Sequence, residues 1–331
     1  MSVVQLPALA NPSNYWAAVK SFAQRGGFVN GLNPSIVGSV WYVNANTVST
    51  RGPVGSDGNS GKSPLTPFAT VARAFEFIKS YDIIVIDGVI REQVVAPVGV
   101  FDVTIMGAAN SPRQATSSGV ATGGGASWLA PTSPVAVTPL LRLIEQSWNI
   151  VNIQMAPVAG AACITFDRRE TAAIPDSSHG SVVGCYFSTG GASGYGIELI
   201  EVKKINILDN LFEALTGASG TAIKGTAGLG IAAKSHLLIR GNRFVQNTND
   251  VDIPSTDYSY IVNNYFNSTN PITPGIRIKL DGSTGRNRVL DNSFSDVAAD
   301  VTIAKGYTPA AQDVWRNWTA DTNVPIVTVP A

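Results

Sequence analysis

The second half of the chain repeats one short pattern of apolar and polar positions. "VVGCYF" (182–187), "ILDNLF" (207–212), "IRGNRF" (239–244), "IVNNYF" (261–266) and "VLDNSF" (289–294) each open on an aliphatic residue and end in Phe. Two places before that Phe stand Cys185, Asn210, Asn242, Asn264 and Asn292, and a looser copy, "VWRNWT" (314–319), puts Asn317 in the same register. Successive positions are 25, 32, 22, 28 and 25 residues apart, in the range of stacked supersecondary units. A fixed pattern with variable spacing predicts a β-solenoid, whose cross-section is constant and whose turns bulge into loops of different length. Alternating aliphatic residues then point inward from a short strand, Asn takes the left-handed backbone of a sharp corner, and Phe re-enters the core. Stacking aligns Asn210, Asn242, Asn264 and Asn292 as an amide ladder, and Phe187, Phe212, Phe244, Phe266 and Phe294 as a column of rings.

Helical periodicity is confined to the N-terminal part. In "TPFATVARAFEFI" Thr66 suits the N-cap and Pro67 the first turn, and Phe68, Val71, Ala72, Phe75 and Ile78 fall on one face, predicting a helix over 67–79. "SYDIIVIDG" (80–88) follows as a buried strand, so the helix sits at the mouth of a β structure and covers its open end. A second helix is predicted from Ser13 to about Arg25, with Trp16, Val19, Phe22 and Ala23 near one face and Gly26-Gly27 as its stop. Residues 1–39 are too few to fold alone: they pack back on the column or dock on a larger assembly through Trp16, Val19 and Phe22. The solenoid is expected over 40–319, with residues 110–134 as an external loop and 320–331 as an extended tail that seals the last rung or reaches a neighbouring subunit.

Composition sharpens this. Of 331 residues 44% are hydrophobic and only 14% charged, with Lys+Arg and Asp+Glu both at 23. A neutral chain with no basic run lacks the positive field that nucleic acid or an anionic membrane requires, so neither is expected as a partner. No apolar stretch reaches membrane-spanning length, and "MSVVQLPALANPSNYW" lacks the basic start and apolar core of a secretory signal, giving the expectation of a protein made in a cytoplasm. Cys163 and Cys185 are expected as buried free thiols.

With "WYVNA" (41–45), "SDGNSGKSP" (56–64), "TPFATVARAF" (66–75), "IIVIDGVIREQVVAP" (83–97) and "VTIMGA" (103–108), the chain resembles the right-handed parallel β-helix superfamily of pectate-lyase-like solenoids. The resemblance implies an all-β column closed at its N-terminal end by a capping helix. That superfamily includes lyases and glycoside hydrolases, and a hydrolase of this kind needs two or three carboxylates held about 5–9.5 Å apart. "GIRIK" (275–279), "NTND" (247–250) and "SHGS" (178–181) resemble polygalacturonase motifs, but His179 precedes the others and an adjacent aspartate pair is missing. Arg277 and Lys279 then read as the solvent face of a strand. "DRRE" (167–170), Asp176 and His179 form a dense ionisable cluster read as a solvated loop. Asp209 and Asp291, before the ladder Asn, suit a turn better than a Ca²⁺ site. Tyr258, Tyr260, Tyr265, Trp315 and Trp318 are read as packed aromatics rather than a sugar platform.

Neither catalytic residues, nor a cofactor, nor a metal centre is assigned. The resemblance leaves three classes: a virion structural protein, a tailspike depolymerase acting on host surface polysaccharide, and a secreted adhesin or pectinolytic enzyme. The expectation is the first: a bacteriophage protein of the virion, a capsid decoration protein or short spike, homotrimeric and bound to major capsid or tail proteins.

Overall fold

The computed structural model describes residues 38–45, 54–108, 126–167, 179–188, 194–217, 220–226, 234–267, 277–280, 287–295, 303–305, 312–315 and 318–319. These residues wind into a right-handed parallel β-helix built on three long sheets. Sheet A begins with Val40–Asn44 and Ile83–Ile90 and continues, rung by rung, to Gln312–Trp315. Sheet B starts in the second half of Ile83–Ile90 and ends at Trp318–Thr319, and sheet C runs from Val94–Val95 to Ile303–Lys305. Every pairing in them is parallel, and Val182, Ile207, Ile239, Ile261 and Val289 align without slippage. The cause is local: in each copy the alternation puts one aliphatic side chain inward, and a one-residue slip would turn the whole set to water.

Three inward columns fill the interior. Trp41, Ile84, Ile105, Ile150 and Val182 begin one of them, on sheet A, all buried. On sheet B, Phe187, Phe212, Phe244, Phe266 and Phe294 stack nearly parallel, with centroids 4.8, 5.1, 4.7 and 4.7 Å apart. On sheet C the layer is Ile164, Ile197, Ile223, Val251 and Ile278. Each fully buried Phe contributes about 2–3 kcal/mol of apolar transfer, so the Phe column alone is a large share of what offsets chain entropy.

The open end is closed by a shorter helix than its periodicity predicts. Helix α1 spans Val71–Phe75, with Thr70 rather than Thr66 as N-cap; the Thr70 hydroxyl accepts from the Arg73 N–H at 3.0 Å. Phe68 is held as a strand-like bridge to Val43 instead: its N–H donates to Tyr42 O and its carbonyl accepts from Asn44 N–H. The freed donors at the start of α1 are met by two carboxylates from elsewhere in the chain. Asp57 accepts from Ala69 and Thr70 N–H, and Glu92 from Val71 and Ala72 N–H, all within 2.9–3.0 Å. Phe68 and Phe77 stack on Trp41, sealing the first rung with aromatic surface. The buried Asp82 carboxylate ties the seal down by accepting from Trp41 Nε1, Ser39 N and Lys79 N.

Candidate functional site

At the corner leading into sheet A the chain repeats one strained conformation. Tyr81, Asp102, Ser147, His179, Lys204, His236 and Tyr258 each stand two residues before the same outward row of the sheet, with φ between 52° and 72°. The left-handed region costs a non-glycine residue roughly 1–2 kcal/mol, and rung-to-rung hydrogen bonds offset it here. The N–H groups of Lys204 and His236 donate to Ser235 O and Asp257 O at 2.9 and 3.0 Å, and that of His179 to Lys203 O at 3.3 Å. The side chains splay outward, so His179, Lys204, His236 and Tyr258 form an exposed single file on consecutive rungs. The His236 and Tyr258 rings stack at 5.5 Å, and beside them Tyr260 is 42% exposed with the Arg288 guanidinium 5.4 Å from its ring. Tyr258 and Tyr260 are thus exposed rings with partners on the rim of the column, not buried ones. Sequence reading missed this file because its residue types share nothing; only their offset from each strand marks them.

The ladder lies at the next corner, between sheets A and B. Asn210 Nδ2 donates to Asn242 Oδ1, Asn242 Nδ2 to Asn264 Oδ1 and Asn264 Nδ2 to Asn292 Oδ1, each at 3.0 Å. Each amide oxygen also accepts the backbone N–H one rung back, beginning with Cys185 N–H to Asn210 Oδ1 at 2.8 Å. The ladder Asn are not the left-handed residues that the sequence suggests. That conformation falls one place earlier, on Asp209, Gly241, Asn263 and Asp291, which leaves the following Asn free to turn inward, and Asn152 and Gly184 take it on the two preceding rungs. Asp209 and Asp291 are thus corner residues. Asn317 and the proposed docking contacts Trp16, Val19 and Phe22 lie outside the described residues, as do Glu170, Asp176, residues 110–125 and the 320–331 tail. The expected external loop over 110–134 is corrected at its end, where Ala126–Leu129 is a strand of sheet B paired with Ile83–Ile90 and Ile153–Ala156.

Charged groups on the column close on one another. Arg277 is not on a solvent face: it is 5% exposed, and its Nη1 donates to Asp250 Oδ2 at 3.0 Å and to Asn247 O. Asn247 Nδ2 donates to the other Asp250 oxygen at 2.9 Å. "NTND" and "IRIK" thus meet in space, as a buried ion pair. Burial raises the Asp250 carboxyl to about 6, against the lowering effect of Arg277 and Asn247. Asp167 ends a strand rather than opening a loop, and it pairs with Arg142. Glu198 accepts from Thr165 and Thr226, Lys224 lies over the Tyr195 ring, and Lys279 faces Asp252 at 3.9 Å. Burial lowers the Lys234 ammonium, and Glu201 opposes that shift.

A family described as periplasmic copper-binding protein (NosD) matches residues 141–323, more than half of the chain. The chain belongs to the NosD family. The matched span runs from the strand Leu141–Leu143 to beyond the last rung, so it takes in the ladder, the Phe column and His179, Lys204, His236 and Tyr258. Among solved structures, the NosD-family chain is similar to pectate lyase Pel9A at 12% identity, with 86% of this chain and 76% of that chain covered and a TM-score of 0.54. It is also similar to a GH136 lacto-N-biosidase from Eubacterium ramulus, at 11% identity, 92% and 70% coverage and a TM-score of 0.42. The sequence matches no curated protein.

Proposed function

We propose that this NosD-family column is a non-catalytic structural protein of a bacteriophage virion, a capsid decoration protein or short spike that assembles as a homotrimer on other virion proteins. The observation that carries the reading is that carboxylates along the described column are engaged in structural contacts. Asp57 and Glu92 cap a helix, Asp82 holds the end seal, and Asp167, Asp250 and Asp252 face Arg142, Arg277 and Lys279. A glycosidase needs carboxylates left open to substrate and set about 5–9.5 Å apart, whereas these are spent on holding the column.

The family description names copper, and the donors of this chain do not fit that ion. Copper is bound by thiolate or neutral imidazole, but burial pushes the Cys163 thiol well above its usual range and that of Cys185 up to about 12. His179 and His236 sit two rungs apart with Lys204 between, roughly 10 Å at strand spacing, while metal–nitrogen bonds are about 2 Å. Among the described residues no three His, Cys, Asp or Glu side chains converge.

A second reading, a depolymerase or binder of host surface polysaccharide, is favoured by one observation, the exposed Tyr258 and Tyr260 rings on the corner file. The two separate by experiment. Antibody-gold labelling of purified particles is expected to decorate the capsid or tail, with no release of reducing ends or unsaturated products from host lipopolysaccharide and capsule. Polysaccharide cleavage, on labelled particles or not, would overturn the non-catalytic reading and support the second, and unlabelled particles without cleavage would overturn the virion reading.

A further inference from the structure

From His179 onward the outer face of sheet A carries charge of one sign. On successive rungs the corner file and the two outward rows beside it bring together Lys204, His236, Arg240, Tyr258, Tyr260 and Arg288, all exposed. Val183, Leu208, Leu238, Val262 and Leu290 lie between them, half-buried. Among the described residues of this strip none is acidic, and neither Lys204 nor Arg240 has an ion-pair partner. Carboxylates stand beside the strip rather than on it. Asp257 comes one residue before the file, and Asp209 and Asp291 one residue after the outer row; the Asp209 carboxylate lies over Gly241, where a Cβ would meet its Oδ1 at 2.1 Å. Sheet C is arranged in the opposite way. Its outward row reads Arg142, Thr165, Glu198, Lys224, Asp252 and Lys279, so that neighbouring rungs offset one another's charge. The cations of sheet A are left to attract an anion from outside.

Size and composition narrow the partner. From the rung of His179 to that of Arg288 the strip measures roughly 20 Å by 15 Å at strand spacing, about 300 Å², well below the ~800 Å² that each side gives to a stable interface. It suits a single segment rather than the broad face of a second copy. Tyr and Arg among aliphatic side chains, with Asp and Glu kept to the margin, is the composition of a protein-binding surface. Leu208, Leu238 and Val262 call for apolar atoms set between the charges, which the side chains of a peptide supply. We propose that this strip binds an acidic, amphipathic segment of a partner protein, with carboxylates on Lys204 and Arg240 and apolar side chains on Leu238, Tyr258 and Tyr260. The inference rests on the structural reading of the column, under which that partner is another virion protein, and its test uses no particles.

Fluorescence anisotropy on the full-length protein tests this with a labelled peptide that alternates Glu and Leu over about 20 Å of extended chain. The peptide is expected to bind, and the double variant Lys204→Glu with Arg240→Glu to bind it about tenfold more weakly. Tyr258→Ala should weaken binding as well, whereas Lys224→Glu, on sheet C, should leave it unchanged. A peptide alternating Lys and Leu should not bind. No binding of the Glu and Leu peptide, or an affinity indifferent to the Lys204 and Arg240 reversals, would overturn the proposal. So would tighter binding of polygalacturonate than of the peptide, which would assign the strip to an acidic polysaccharide. Peptide binding by a protein that fails to label particles would uphold the strip and overturn only the virion reading.

Discussion

Asn264 shows what one residue does in this fold. Its oxygen accepts from the backbone and the side chain of Asn242, while its amide donates to Ile239 O and Asn292 Oδ1, and the residue is buried. Asn264→Leu removes these partners at once and leaves buried donors and acceptors on two neighbouring rungs. The expected loss is about 3 kcal/mol, read as a lower denaturation midpoint with an unchanged denaturant slope. Asp250 makes a different kind of claim. Its folded-state carboxyl is raised to about 6 from an ordinary 3.8, so the stability tied to its protonated form is complete below about pH 4 and is lost as pH rises through about 6. Measured against Asp250→Asn, wild-type stability should fall across that window by on the order of 3 kcal/mol, and the difference should be flat above it.

At the scale of elements, the cap is the part most exposed to a single change. Helix α1 is too short to persist by its own hydrogen bonds, and its first N–H groups depend on Glu92, which lies beyond the next strand. Glu92→Ala should cost about 1 kcal/mol and loosen α1, seen as faster amide exchange at Val71 and Ala72. Phe244→Ala, in the middle of the ring column, should cost about 3–5 kcal/mol by thermal or denaturant unfolding, because the rings of Phe212 and Phe266 cannot close the gap. The rungs of sheets A and B are legible in the sequence because one register position demands Asn and another demands Phe. Sheet C carries no such marker: its inward layer of Ile164, Ile197, Ile223, Val251 and Ile278 could belong to any buried strand. The extent of α1 was misjudged because the pairing of Phe68 with Val43 is a long-range contact that overrides local helix signals. Arg277 misled for a related reason, since alternation marks which residues face away from the core but not that Asp250 waits there, one rung back. The corner file of His179, Lys204, His236 and Tyr258 was invisible, because the backbone there constrains φ and leaves the side chain to vary.

The whole molecule is a stack in which each rung meets only its two neighbours, so its response to damage should be local. Stability in such an array is close to a sum of rung and interface terms, and a defect propagates as far as the coupling between rungs carries it. Asn264→Leu offers a direct reading of that distance. Amide exchange should accelerate in Tyr260–Val262 and Tyr265–Asn267, and in Leu238–Arg240 and Asn287–Leu290, which pair with Tyr260–Val262 on either side. Ile83–Ile90, several rungs away and held by the aromatic seal and Asp82, should exchange as in the wild type. Equal acceleration along the entire column would mean that the rungs open as one cooperative unit. In that case the continuous Phe column, rather than nearest-neighbour pairing, sets the length over which the solenoid behaves as a single body.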